Sequence, residues 1–141
     1  WSQELTLNSL ITEGVPEKFP GLNFIFLESG IGWVPYTMHR LNKEYSIRRS
    51  EAPLLEKSPE EYIRESCYFA SQPLGEPNDL THMNSLIEMV GTENLMYASD
   101  YPHWDFDHPS GVDKHLRSHF SAEQRQQVLY DTPIEAFKLN I

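Results

Sequence analysis

The stretch Asn94-Leu95-Met96-Tyr97-Ala98-Ser99-Asp100-Tyr101-Pro102-His103-Trp104-Asp105 decides how the rest of the chain is interpreted. Leu95 to Ala98 form a short apolar run, which is the pattern of a strand buried in a parallel sheet. Asp100 follows this run closely, where burying a charge is unfavourable unless the charge is paired or bound to a metal. The carboxyl ends of parallel strands are where α/β proteins bind ligands and metals. Asp100 is therefore the strongest functional candidate in the sequence.

The same arrangement occurs earlier in the chain. Leu22 to Leu27 is an aliphatic and aromatic run that predicts a buried strand and ends on Glu28. Residues 66–70 predict a third strand. Helical patterns separate the three runs, which predicts βαβ crossovers and a parallel sheet in an α/β fold. Because parallel strands end at one edge of a sheet, we expect Glu28 and Asp100 to open onto the same face.

The segments between the strands carry helix start and stop signals. Ser58, Pro59 and Glu61 predict a helix start with a capping box, in which the first serine and the glutamate bond each other's backbone N–H groups. The remaining predicted helices are residues 4–11 with a stop at Gly14, residues 34–48, a helix capped by Asn78 or Asp79 that ends at Gly91, residues 112–120, residues 121–130, and a short helix with a second capping box from Thr132 to Glu135.

Composition and charge exclude several classes of function. A chain of 141 residues with 39% hydrophobic and 12% aromatic residues is typical of one globular domain. The formal net charge of −10 argues against nucleic acid and anionic membrane surfaces as partners. No apolar run approaches the roughly 20 residues that a membrane-spanning helix needs. Cys67 is the single cysteine, so an internal disulfide is ruled out and a reducing, cytoplasmic location is expected.

Each candidate site residue has a functional and a structural interpretation. Asp100 could bind a divalent cation and accept a proton, or it could serve in an Asx turn or as a helix cap before Pro102. Glu28 has the same choice, its structural alternative being an ion pair with a nearby arginine. His103 lies three residues after Asp100 and could line the same mouth, although a single loop histidine is more often polar surface.

Two tryptophans follow the strand-end carboxylates. Trp33 comes five residues after Glu28, and Trp104 comes four residues after Asp100. Both could form walls of a pocket for a flat substrate, and packing inside the protein explains them equally well.

Several of these residues lie in segments that resemble the amidohydrolase-2 family. The first is Phe19-Pro20-Gly21-Leu22-Asn23-Phe24-Ile25-Phe26-Leu27-Glu28-Ser29-Gly30-Ile31-Gly32-Trp33-Val34-Pro35, and the second is Ser99-Asp100-Tyr101-Pro102-His103. Residues 124–130 also resemble the final helix of that family. The family is the branch of the amidohydrolase superfamily that includes aminocarboxymuconate semialdehyde decarboxylase. The resemblance covers most of the chain in consistent order and spacing.

The resemblance implies a (β/α)8 barrel of the TIM type with a divalent metal at its carboxyl-terminal mouth. The metal is usually zinc, with manganese and iron as alternatives. By this analogy the three strands are the sixth, seventh and eighth of the barrel. Asp100 matches an aspartate after the last strand that binds the metal and takes part in proton transfer. Glu28 stands where the decarboxylases often have histidine, and Asp131-Thr132-Pro133 replaces the usual Asn-Ala pair.

The resemblance also implies that part of the enzyme is absent from this sequence. The family's His-x-His on the first strand and its histidine on the fifth have no counterpart here, and a full barrel takes about 250 residues. The sequence also opens on Trp1, in mid-pattern and without an initiator methionine. We therefore expect residues 1–141 to be one segment, the carboxyl-terminal part of a longer chain, and to be inactive alone. Either the rest of the barrel or a homo-oligomer would have to cover its open edges.

The leading hypothesis from the sequence is part of a metal-dependent hydrolase or carboxy-lyase acting on a small carboxylated or cyclic substrate. Asp100 and Glu28 are its expected catalytic residues, with Asp100 also the metal ligand, and His103, Trp33 and Trp104 are expected to contact substrate. The alternative is a non-catalytic α/β module that binds a ligand or partner at the same strand ends. Two carboxylates by themselves are a poor zinc site, because zinc prefers histidine and cysteine.

Overall fold

A parallel three-stranded sheet organises the computed structural model, which describes residues 1–75, 79–108, 110, 116–117 and 120–141, with residue 80 described by its backbone alone. The strands are β1 (Phe24–Phe26), β2 (Cys67–Ala70) and β3 (Leu95–Met96), in the order β1-β2-β3. All pairing is parallel, with Phe26 opposite Phe69 in one ladder and Phe69 opposite Leu95 in the other. The predicted α/β architecture with a parallel sheet is confirmed.

Helices connect and follow the strands in the expected alternation. They are α1 (Ser2–Thr12), α2 (Val15–Lys18), α3 (Val34–Arg48), a 3-10 turn (Arg49–Glu51), α4 (Pro59–Ser66), α5 (Leu80–Val90), α6 (Ala122–Gln126), a π-helical segment (Gln127–Asp131) and α7 (Thr132–Phe137). The bounds predicted for α3 agree with the structure. The helix predicted for residues 112–120 lies mostly outside the described residues. No helix in the described ranges is long and apolar enough to cross a membrane.

The two faces of the sheet pack against different partners. The main core lies between the sheet and the helices around Phe69, which stacks on Phe26 with ring centroids 5.4 Å apart. A smaller cluster covers the opposite face and consists of Tyr68, Ala70, Met96 and Ala136, with Ile25 and Ala98 beside it. Alternate residues of a strand point to opposite faces, so burial of all four β2 residues places this strand at the centre of both layers.

Local start signals predict two of the helix beginnings correctly. The Ser58 hydroxyl accepts a bond from the Glu61 N–H, and the Glu61 carboxylate accepts one from the Ser58 N–H, so the capping box of α4 is confirmed. Asp79 caps α5, with its Oδ1 accepting a hydrogen bond of 2.9 Å from the Thr81 N–H. Gly91 ends α5 with φ at +94°, as predicted.

The second predicted capping box, at Thr132, is wrong. The π-helical segment runs directly into α7, so the N–H groups at the start of α7 are not free for a cap. The Thr132 hydroxyl is buried and donates to the carbonyl of Thr92 at 3.0 Å instead. Because the π-helical segment begins at Gln127, the α-helix predicted for residues 121–130 is also shorter than expected.

The strands are shorter than the apolar runs predict. After Met96, the Tyr97 N–H donates to the carbonyl of Val128 at 3.0 Å, and the Ala98 N–H donates to the Ser71 hydroxyl at 3.1 Å. Neither bond joins the backbones of two neighbouring strands, so β3 ends at Met96, two residues before the predicted limit. At the other end of the neighbouring strand, Ser66 belongs to α4 and bonds the Tyr62 carbonyl.

Candidate functional site

The loops that follow β1 and β3 bring acidic and imidazole side chains together. One potential ligand atom from each of Glu28, Asp100 and His103 lies within 4.8 Å of the others. Glu28 comes two residues after β1, and Asp100 comes four residues after β3, so these side chains meet across the width of the sheet. The expectation that both carboxylates open onto one face is confirmed.

Both carboxylates have an unusual backbone conformation. The φ angles of Glu28 and Asp100 are +54° and +59°, in the left-handed region that residues other than glycine rarely occupy. The third non-glycine residue of this kind in the described chain is Lys138, which ends α7, a common place for such a conformation. Conformations of this kind cost on the order of 1–3 kcal/mol and cluster at functional sites. The fold therefore holds both carboxylates in directions that a regular strand end would not give them.

Asp100 and His103 form a tight pair. The imidazole Nδ1 lies 2.6 Å from Asp100 Oδ2, and the His103 N–H donates to the Asp100 carbonyl at 2.9 Å. The hydrogen bond to the Asp100 carboxylate, and then the negative charge of that carboxylate, raise the pKa of His103. The Asp100 side chain is only 16% exposed, whereas that of His103 is 64% exposed. An imidazolium at this position would neutralise a largely buried carboxylate.

Glu28 faces Asp100 rather than an arginine. A hydrogen bond between the two carboxyl groups, and then the charge of Asp100, raise the pKa of Glu28, because two adjacent negative charges repel each other. The structural alternative of a Glu28–arginine ion pair is therefore not what the structure shows. The proximity of Asp100 therefore favours the protonated form of Glu28 more than in an isolated glutamate.

The donor set is chemically suited to a divalent cation. Two carboxylates and one imidazole supply oxygen and nitrogen ligands, a combination that fits manganese, iron or zinc. A doubly charged cation would also offset the repulsion between Glu28 and Asp100. Catalytic zinc sites usually take three protein ligands, commonly with more than one histidine. The cluster therefore fits an oxygen-rich metal site better than a typical zinc site.

The two tryptophans differ in their surroundings. Trp33 is half-buried, and its indole N–H lies 3.1 Å from the carbonyl of Gly30, while its ring packs edge-on against Phe26 and Phe69. Trp33 also lines a cavity of about 260 Å³ together with Glu28. Trp33 therefore both packs against the aromatic core and lines the cavity.

Trp104 lies in the loop beside His103 and is 93% exposed. An indole in this position forms no buried wall within the described part of the chain. Its neighbours Tyr101 and Phe106 contact each other edge-on, with centroids 5.6 Å apart.

The loop after β2 also reaches this edge, which the sequence interpretation missed. The Leu74 N–H donates to Asp107 Oδ2 at 3.1 Å, and the Tyr97 hydroxyl donates to the Asp107 carbonyl at 3.0 Å. On the other side, a Cβ atom built on Gly30 would lie 2.9 Å from the Pro73 carbonyl oxygen. The sequence contains a signal for this loop, because its residues follow a buried strand just as Glu28 and Asp100 do.

Comparison with known proteins gives one family and one fold. The model of the amidohydrolase family matches residues 3–139. No curated protein sequence matches the chain significantly. The structure resembles an amidohydrolase from Mycobacterium avium subsp. paratuberculosis K-10 with a TM-score of 0.77 and 21% identity, covering 93% of this chain and 32% of that one.

Two decarboxylases resemble the structure to a similar degree. For 5-carboxyvanillate decarboxylase from Sphingomonas paucimobilis the TM-score is 0.70 at 21% identity, covering 93% of this chain and 38% of that one. A dihydroxybenzoic acid decarboxylase from Polaromonas sp. JS666 was solved with manganese and the inhibitor 2-nitroresorcinol. Its TM-score is 0.72 at 18% identity, and the match covers 98% of this chain and 40% of that one. At such identities the likeness shows the fold alone. The chain spans 32–40% of the length of these three proteins.

Proposed function

The chain belongs to the amidohydrolase family, and on this premise we propose that it supplies the carboxyl-terminal part of a metal-dependent carboxy-lyase or hydrolase. The observation that carries the proposal is the convergence of Glu28, Asp100 and His103 within 4.8 Å at the strand ends. Two of these residues have left-handed backbone conformations, which is common at functional sites. The substrate proposed is a small carboxylated aromatic or other cyclic compound.

In this proposal β1, β2 and β3 are the sixth, seventh and eighth strands of a (β/α)8 barrel. Their parallel pairing in sequence order supports this, as does the fraction of each structural relative that the chain covers. The face that carries Tyr68, Ala70 and Met96 would then point into the barrel.

Asp100 is the proposed metal ligand, with Glu28 and His103 beside it. A divalent cation, such as the manganese of the dihydroxybenzoic acid decarboxylase, would supply positive charge that polarises a bound carboxylate or carbonyl. Zinc and iron remain alternatives on the same donor set. His103 holds Asp100 in place through the 2.6 Å contact and balances its charge.

Decarboxylation is the reaction that we favour, because named structural relatives are decarboxylases. Loss of carbon dioxide from an aromatic acid requires a proton on the ring carbon that carried the carboxylate. Glu28, with its raised pKa, is the proposed donor of that proton, and Asp100 helps to keep it available. In hydrolysis, Asp100 would instead accept a proton from the attacking water. We further propose that His103, Trp33 and Trp104 contact the substrate.

The substitution Asp100→Asn tests this function in the intact protein that contains these residues. We expect turnover of 2,6-dihydroxybenzoate or 5-carboxyvanillate to fall by about two to four orders of magnitude, because a proton-transfer group is lost. Bound metal should fall in parallel, measured by elemental analysis, while circular dichroism stays unchanged. The matched control is Asp105→Asn, an exposed carboxylate of the same loop, which should retain most activity. Near-normal turnover of Asp100→Asn would contradict the assignment.

The non-catalytic alternative has a distinct signature in the same experiment. An intact wild-type protein that binds these aromatic acids, holds no manganese, zinc or iron, and gains no activity when they are added would favour a binding module. Carbon dioxide release distinguishes decarboxylation from hydrolysis.

A further inference from the structure

The second half of α3 is basic, whereas the rest of the chain is acidic. Residues 40–49 contain four of the 11 basic residues of the chain but only one of its 21 acidic residues, which gives them a formal charge of +3. Because the whole chain carries −10, the remaining residues carry −13. A patch of opposite sign to the rest of a protein attracts and orients a charged partner.

Helical spacing places part of this charge on the face of α3 that points away from the core. Met38 is buried in the core on the inner face of the helix. The outer face carries a row of exposed residues three or four positions apart, namely Tyr36, Arg40, Lys43 and Ile47. In a (β/α)8 barrel the helices surround the strands, so further strands would leave this face uncovered.

An acidic segment lies directly beside the basic one. Residues 51–65 contain five acidic and two basic residues, which gives them a formal charge of −3. Asn42 of α3 donates through Nδ2 to Glu60 Oε2 at 2.9 Å, and the Glu60 N–H donates to Asn42 Oδ1 at 3.0 Å. The Tyr45 hydroxyl also donates to the Leu55 carbonyl at 2.8 Å. Surfaces of equal and opposite formal charge are therefore held side by side.

A groove of about 420 Å³ lies between the basic and acidic segments. Its apolar lining consists of Leu41, Tyr45, Ala52, Leu55 and Pro59. Arginine and glutamate side chains from both segments line it as well. Two large apolar residues beside it in the chain are exposed, Ile47 at 69% and Leu54 at 45%. An apolar centre bordered by charged groups is the usual composition of a protein–protein interface.

We infer that two copies of this protein associate through this surface, about a two-fold axis that passes through the groove. A rotation by half a turn places the basic segment of one copy on the acidic segment of the other, and the same contact repeats on the other side of the axis. A partner of a single charge would match only half of the surface, whereas a second copy matches both halves. The inference is independent of the proposed reaction, because the surface contains no residue of the candidate site.

Sedimentation equilibrium of the intact protein that contains these residues tests the association. Salt screens the attraction between exposed charges, whose range falls from about 10 Å at 0.1 M to about 3 Å at 1 M. We therefore expect a dimer whose dissociation constant rises by about tenfold or more between about 50 mM and about 500 mM sodium chloride.

Lys43→Glu tests the charge of α3. Lys43 is exposed and forms no ion pair with any residue that the structure describes, so its replacement should leave the fold intact, as checked by circular dichroism. The reversed charge faces the acidic segment at both equivalent contacts of the dimer. The dissociation constant should rise by about tenfold or more at low salt and by less at high salt. Lys138→Glu, at the exposed end of α7, makes the same change in net charge and should alter the constant by less than about twofold.

Ile47→Glu tests the apolar part of the same surface. The substitution removes an exposed apolar side chain and introduces a carboxylate among the basic residues of α3. The dimer should weaken at both salt concentrations, because apolar contact does not depend on screening. The matched control is Leu129→Glu, which also replaces an exposed apolar residue of a helical segment, 39% exposed and outside this surface. Its dissociation constant should stay within about twofold of the wild type.

Three results would overturn the inference. A wild-type protein that is monomeric at about 100 μM and low salt shows that no such dimer forms. A dimer that both Lys43→Glu and Ile47→Glu leave intact associates through another surface. Equal weakening by Lys43→Glu and Lys138→Glu means that net charge, rather than this surface, controls association. The proposed function fails separately, through normal turnover or normal metal content in Asp100→Asn.

Discussion

The environment of each strand-end residue, rather than its type, determines what it can do. Glu28 and Asp100 are both carboxylates at strand ends, yet Asp100 is paired with an imidazole and Glu28 is hydrogen-bonded to another carboxyl group. Neighbouring titratable groups whose environments separate their pKa values divide acid and base roles between them. The raised pKa of Glu28 is the reason that we propose it as the proton donor, with Asp100 as the proposed metal ligand.

The pKa of His103 should lie above the ordinary value of 6.5 in metal-free protein. Nuclear magnetic resonance of the imidazole Cε1–H across pH measures it directly. Asp100→Asn should return the pKa toward the ordinary value, because the hydrogen bond to the carboxylate is its main cause. Asp105→Asn is the control and should shift it less, since Asp105 acts through its charge alone. An unchanged titration in Asp100→Asn would contradict the pairing.

The sign of the resulting pH effect follows from the raised pKa. Protonated His103 is favoured in the folded state, so its contribution to stability is complete below the unfolded pKa and is lost as the pH rises through the folded value. A proton on His103 also competes with a metal ion for the ring. Metal affinity of the intact protein should therefore fall as the pH is lowered through the pKa of His103 in the folded state.

At the scale of secondary structure, two helix ends depend on particular residues. Gly14 joins α1 to α2 with φ at +66°, and Ser58 begins the helix that leads into the central strand. At each position one substitution tests the local requirement, at Gly14 by adding a Cβ atom and at Ser58 by removing a hydroxyl.

Gly14→Ala should destabilise the protein by about 2–5 kcal/mol, measured by chemical denaturation. A left-handed φ costs an L residue roughly 1–2 kcal/mol, and overpacking adds about 1–3 kcal/mol. Overpacking is expected because the added Cβ would lie 2.6 Å from Leu54 Cβ. Gly21→Ala separates the two causes, since its φ is +83° but no atom of the residues that the structure describes lies within 4 Å of the added Cβ. Equal losses for the two variants would show that the contact with Leu54 relaxes freely.

Ser58→Ala should reduce the free energy of unfolding by about 1 kcal/mol, the usual effect of losing a helix cap. The substitution removes the hydroxyl that accepts the Glu61 N–H and leaves that donor without its partner. Ser50→Ala, in the exposed 3-10 turn after α3, is the control and should change stability by less than about 0.5 kcal/mol. A loss no larger than that of the control would mean that water replaces the cap.

At the scale of the whole molecule, the sheet is buried at its centre and open at its sides. Strand β2 has a partner on both sides, whereas within the described ranges β1 and β3 each pair on one side only. The Gln3 side chain bonds the Leu27 carbonyl beside β1, and the π-helical segment bonds Tyr97 after β3. The described chain thus covers part of each edge with side chains and turns.

Hydrogen exchange of the 141-residue chain should show that the central strand β2 is better protected than the edge strand β1. Amides of Phe69 and Ser71, bonded to the Asn94 and Met96 carbonyls, should exchange slowest, and a peptide containing β1 should exchange at least about tenfold faster. Mass spectrometry of peptides from the two strands measures this. Equal protection of β1 would mean that a further strand or a second molecule covers its outer edge. In the intact barrel that we propose, β1 should become as protected as β2.

Much of the fold and the outline of the site were predictable from the sequence. Buried strands, the α4 capping box and the alternation of helices and strands depend on neighbouring residues, so their patterns are visible without coordinates. The parallel order then places strand-end residues at one edge, which is why Glu28 and Asp100 were correctly expected to share a face.

The sequence by itself determined an α/β chain with two acidic residues at strand ends, because local periodicity and helix caps involve residues close together in the chain. Only the tertiary structure decided that Glu28 pairs with Asp100 and that Thr132 bonds Thr92 instead of capping a helix. It also decided that Gln72 is buried with an unpaired oxygen. These features depend on contacts between residues tens of positions apart, and only the packing of the folded chain brings such residues together.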